Sequence, residues 1–242
     1  MDIAVRGLAP YLPGPGRAPR WWIATGRHTA ERLGLTELYE QAEPPQPADG
    51  ACVCGLAAPC SLPHAFVEHL GLGGERDQVL RTLESPTTKR LLRQARAFAA
   101  GRPHGQRHPL RTPKESTSAL ARHRLPLFKA ALPLLRAARA LPWTPQEPPY
   151  VVEVDVPCFL AGLGLPSTRL AGALPQALER RMQVLDALSS GGAGFALESP
   201  REPAVTSFPA LAAVVAAAAA AWAHRNPPAP SVPAPDAWFP CP

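Results

Sequence analysis

The stretch Gly55-Leu56-Ala57-Ala58-Pro59-Cys60-Ser61-Leu62-Pro63 decides how the rest of the chain is read. It follows the apolar run Ala51-Cys52-Val53-Cys54 and breaks at two prolines into a segment of helical pattern. A short, continuous apolar run closed by a rigid turn is how a buried strand ends. In α/β proteins that end belongs to the sheet's carboxyl edge, where sites are usually built.

Working outward, residues 2–7 and 21–26 read as the first strands, joined by a Pro/Gly-rich connection. Thr29 to Gln41 has a helical pattern, with Leu33, Leu38 and Ala42 near one face, and Pro44, Pro45 and Pro47 end it. Beyond the strand at 51–57, Pro63 opens a helix that runs to Leu70. Arg76 to Ala100 reads as two helices divided at Ser85-Pro86, with Ser85 as N-cap. Residues 102–124 form a long basic loop, and Leu127 to Leu141 a helix kinked at Pro133. A β-branched strand at 150–156 and helices at Leu174–Ser189 and Ala210–His224 complete the pattern. The order implies one α/β domain over residues 1–225, a mixed sheet with helices on its faces. The last 17 residues, from Asn226, hold seven prolines and read as an extended tail.

The chain's 242 residues suffice for one sizeable core, and 46% are apolar, much of that alanine. Thirty-two prolines without a Gly-x-y period mean many fixed turns and exclude collagen. Prolines at 10, 13, 15 and 19 interrupt any signal-like apolar segment, and the alanine run from Ala210 to Ala223 reads as too short to span a bilayer. With five cysteines, an odd number, the expectation is a reduced, cytoplasmic protein with no membrane association. Cys52 and Cys54 share one strand face, a spacing unlike the turn of zinc modules, and read as core residues.

Charge is unevenly spread. Between Ser85 and Leu125 stand ten Lys/Arg against a single acid, Glu115, a local surplus of nine in a chain whose net charge is +6. Lys89, Arg90, Arg93 and Arg96 fall at helical spacing along one stripe, and Arg107, Arg111 and Lys114 continue the run into the loop. Such a run attracts phosphate backbones through counterion release. Glu153 and Asp155 alternate on a strand and are expected to face one way, where one of them would pair with an arginine. Gly-x-Ser-x-Gly, Gly-x-Gly-x-x-Gly and Walker sequences do not occur.

Five segments in register resemble a bacterial and archaeal family of predicted nucleases, domain of unknown function 429, with a ribonuclease H-like fold. The opening stretch is similar to its Gly-x-Asp-x-Pro-x-Gly-x-Pro motif, with Ala57 at the aspartate position. Gly7-Leu8-Ala9 with Trp21-Trp22-Ile23-Ala24 resembles its first strand pair, and residues 107–112 its basic segment. Residues 151–157 resemble its Glu-x-Tyr-Pro strand, and Thr206-Ser207-Phe208-Pro209-Ala210-Leu211 the start of its terminal helix. The resemblance implies a third strand near residues 27–35, against the helical pattern there.

It also implies carboxylates at positions that here hold Ala9, Ala57, Thr206 and Pro209, leaving Glu153 and Asp155 as residual acids. Ribonuclease H-like hydrolysis holds a pair of divalent ions with such carboxylates. The expectation is therefore an inactive copy without a metal site or cofactor, Mg²⁺ entering only with residual activity, that retains nucleic-acid binding. Two rivals stand beside it. One is a working phosphodiesterase with ligands drawn from Asp2, Asp77, Glu153 and Asp155; the other is a protein-interaction module using the Pro-rich tail.

Overall fold

The computed structural model describes residues 2–14, 17–29, 32–46, 52–60, 62, 64–72, 76–100, 124–137, 150–190, 195–197 and 201–226. Strands β1 (Ile3–Tyr11), β2 (Arg20–His28) and β3 (Leu33–Gln41) form an antiparallel meander. β4 (Cys52–Leu56) joins β1 in parallel, β5 (Tyr150–Glu153) joins β4 in parallel, and β6 (Phe195–Leu197) lies parallel to β3. The six-stranded mixed sheet runs β5-β4-β1-β2-β3-β6. One face carries α1 (His64–His69), α2 (Arg76–Glu84), α3 (Thr88–Ala100) and α4 (Leu125–Ala137); the other carries α5 (Val156–Gly162), α6 (Pro175–Ser189), α7 (Glu202–Thr206) and α8 (Phe208–Arg225).

Residues 29–41 correct the helical expectation: they hold strand β3 at Leu33–Gln41, later in the chain than the 27–35 that the resemblance implied. Leu33 and Leu35 enter the core, and the glutamates that suit a helix find partners across the sheet instead. Glu37 accepts from the Thr25 hydroxyl at 3.1 Å, and Glu40 binds Arg20 at 2.9 Å and the Tyr11 hydroxyl. Pairing and burial override local propensity here. Pro10 is tolerated in a central strand for a positional reason. Leu8 and Pro10 point their backbone groups to the β4 side, and the β4 ladder ends at Leu8, so the missing N–H breaks no rung.

Other boundaries also move. The last strand stops at Glu153, not 156, because Asp155 turns the chain into α5 by accepting from Cys158 N at 3.1 Å. α3 starts at Thr88, and Thr87, not Ser85, caps it through Arg90 N at 3.3 Å. Pro133 lies inside α4 as expected. The elements α5, α7 and β6 had no expectation. The basic loop at 102–123 and the tail from 227 lie outside the described residues.

α8 is the organising element. By length and composition this 18-residue helix could cross a membrane, which corrects the shorter run read from sequence, yet most of it is buried in the core. Its contact with the sheet is backbone to backbone. A Cβ on Gly7 would stand 1.8 Å from the Ala213 carbonyl oxygen, and one on Gly55 1.9 Å from that of Ala216. Alanines on the helix and glycines on the strands together allow this approach. Arg181 of α6 ties the same layer together. Fully buried, it donates to the carbonyls of Leu170, Gly172, Val205 and Thr206, so its charge is met by backbone dipoles.

Gly55→Ala is therefore expected to destabilise the protein by about 3 kcal/mol or more in urea unfolding. Gly14→Ala, whose new Cβ would meet only the Arg17 side chain at 3.9 Å, should change stability little. A near-neutral Gly55→Ala would refute the close packing.

Candidate functional site

The carboxyl ends of β1, β4 and β5 are locked together by main-chain bonds that run past the strands. Ala57 N donates to Leu8 O, and Val154 N to Leu56 O, each at 2.8 Å. The turn after β4 is held the same way: Cys60 N donates to Glu153 Oε2 at 2.9 Å. Glu153 is buried, 4% exposed. Arg124 lies across it, with Nη2 3.7 Å from Glu153 Oε1 and Nη1 2.8 Å from Asp155 Oδ2. Glu153 and Asp155 thus share one arginine, and one Asp155 oxygen also caps α5.

Burial pushes the Glu153 carboxyl up from 4.5 to about 7. Arg124 and the Cys60 N–H oppose that rise without cancelling it, and Asp155 adds a small push in the same direction. Such a group could exchange protons near neutrality, but its oxygens are committed to Arg124 and the turn. The arrangement closes the sheet edge; it does not open a coordination site.

Strand alternation also separates the acid from the positions at which the resemblance implied carboxylates. Val151, Cys54, Leu56 and Leu8 pack with α1–α4, and Glu153 shares their parity. Ala9 lies in the opposite cluster with the α8 alanines, and Ala57 packs against that cluster. An aspartate at Ala9 would bury a charge against α8, at a cost no described partner offsets. Thr206 sits at the end of α7, bonded through its hydroxyl to Glu202 O and Pro203 O, and Pro209 lies in the first turn of α8. Among the described residues, no three His, Cys, Asp or Glu side chains converge as a metal-holding group.

Lys89, Arg90, Arg93 and Arg96 are all exposed on α3, while Leu91, Ala95 and Phe98 on its other side are buried. A groove along the helix is lined by Thr87, Leu92 and these four cations. Among the described residues, none of the four has a carboxylate partner. Arg107, Arg111 and Lys114 lie outside the described residues. Cys52 and Cys54 are buried with sulfurs 3.8 Å apart, in the core as expected.

Sequence reasoning foresaw an arginine beside the acid pair but did not single out Arg124 from nine other basic residues. It missed His28, buried with Nε2 unbonded among the described residues and held down near 4 by burial first and then by the nearby Arg225 and His224. Nothing in the local sequence marks that histidine, since its burial comes from pairing with β1 and β3. No known protein family, curated protein or solved structure matches this chain.

The raised Glu153 carboxyl has a stability consequence. Because the folded state holds this proton more tightly than the unfolded state, stability from this group is full below 4.5 and falls as pH rises through about 7. The loss amounts to roughly 3 kcal/mol by linkage. His28 pulls the opposite way, its contribution falling as pH drops from 6.5 toward 4. The difference between wild type and Glu153→Gln isolates the carboxylate: urea midpoints across pH 5 to 8 should show the variant gaining relative stability as pH rises. A pH-independent difference would count against a buried, near-neutral carboxyl.

Proposed function

We propose that this chain is a ribonuclease H-like domain without hydrolytic activity that binds nucleic acid through the exposed basic face of α3. An antiparallel three-strand meander, followed by two strands added in parallel beside β1, supports the fold part of the reading. The carboxylate arrangement supports the loss of hydrolysis: one acid is buried under Arg124, the other caps a helix, and Ala9 and Ala57 lie on the opposite face of the sheet from Glu153. Two-ion hydrolysis needs several oxygens aimed at one point.

The observation that carries the binding part is the unneutralised stripe Lys89-Arg90-Arg93-Arg96. Surface cations in an ordinary solvated face commonly pair with acids at helical spacing; this stripe has none among the described residues. A row of fixed cations along one helix matches the spacing of a phosphate backbone better than it matches a point ligand.

The rival phosphodiesterase with relocated ligands finds less support. Asp2 precedes β1 while Glu153 ends β5, and the two strands run parallel through β4, so roughly 20 Å of strand rise separates them.

Fluorescence anisotropy with a labelled single-stranded oligonucleotide tests the reading. Affinity should fall steeply with salt, and Arg90→Ala/Arg93→Ala/Arg96→Ala should flatten the log–log salt slope by about 2 and weaken binding at least about tenfold. No cleavage is expected with Mg²⁺ or Mn²⁺. Salt-insensitive or absent binding would refute the reading, as would metal-dependent cleavage abolished by Glu153→Gln.

A further inference from the structure

Beside the basic groove lies a second concavity, and Arg90 lines both. It sits where the end of α1, the end of α2 and the first turns of α3 meet. Its volume of about 240 Å³ falls below the roughly 300–1,000 Å³ of pockets for drug-sized ligands. Leu70, Leu72, Leu83 and Leu91 supply an apolar floor, and Leu83 and Leu91 are fully buried beneath it. Gln94 and Ser85 stand at the rim. Neither makes a side-chain hydrogen bond among the described residues.

We infer that this pocket takes one unstacked base of a single-stranded nucleic acid whose phosphates follow the α3 stripe. This rests on the binding proposed above and narrows it from any polyanion to single strands. Three features argue for it. The floor is aliphatic, an apolar surface on which one flat ring system can bury a face. The rim offers an amide and a hydroxyl, a donor and acceptor pair suited to a base edge. The cation between the two concavities sits where the phosphate joining a splayed nucleotide to its neighbour would pass. A duplex keeps its bases stacked and presents none to such a pocket.

Charge complementarity selects the occupant. An apolar peptide side chain could fill the floor, but the Arg90, Arg93 and Lys89 cluster beside it favours a ligand with an apolar ring adjacent to fixed negative charge. A nucleotide strand carries that pairing at every residue.

The test compares a short single-stranded DNA with the same strand made abasic throughout, so that backbone charge is constant. Wild type should bind the base-bearing strand about tenfold more tightly, in line with burying one ring face on an apolar floor. Ser85→Trp, which places an indole over the pocket from an exposed position, should erase that preference while leaving abasic binding unchanged. Gln94→Ala should reduce the preference in the same direction without adding bulk. Equal affinity of wild type for both strands would overturn the pocket assignment and leave the phosphate reading standing. Tighter binding of duplex than of single strand would also overturn it. Absence of binding to every strand would sink both proposals together.

Discussion

The close approach of α8 to the sheet fixes the rest of the molecule. Gly7 and Gly55 present bare backbone to the alanine carbonyls of the helix, and no side chain larger than hydrogen fits between. Ala9 and Ala57 lie two residues further along the same strands on the same face. A helix seated this deeply buries Ala9 and packs against the partly buried Ala57. Small side chains there follow from the packing. Alanine, which buries little surface per residue, earns its place by letting the backbones meet.

The opposite face sets the site. Leucines, alanines and phenylalanines from α1–α4 bury the strands there, and only Glu153 brings a formal charge into that layer among the described residues. A buried carboxylate needs partners, which Arg124 and the Cys60 N–H supply, yet burial still leaves the carboxyl group shifted toward neutrality. The same arginine neutralises Asp155. It is also the last residue of the basic stretch, so the acid pair anchors the end of the segment whose start, on α3, displays its charges to solvent. Among the described residues of this region, one cation is thus used inside the fold and four are presented outside it.

Much of this was legible in the sequence, for identifiable reasons. The strand at Cys52–Leu56 could be read because a run of small apolar residues ended on prolines. The α3 stripe could be read because charged and apolar positions alternated at helical spacing. Strand β3 was masked by glutamates and leucines that favour helix in isolation, and its pairing partners lie outside any local window. The sharing of Arg124 by Glu153 and Asp155 depends on contacts across some thirty residues of sequence, and the apolar pocket beside Arg90 depends on three helices meeting. The fit of Gly7 and Gly55 to α8 could not be anticipated from glycines that in isolation signal only flexible backbone.

The most direct test is backbone amide shift mapping of the isotope-labelled protein during titration with single-stranded DNA in the presence of magnesium. This account predicts that shifts concentrate on α3 and on the adjoining ends of α1 and α2, while the amides of Cys60, Glu153 and Cys158 stay in place with or without the ion. Magnesium-dependent shifts centred on Cys60, Glu153 and Asp155, with α3 silent, would contradict it.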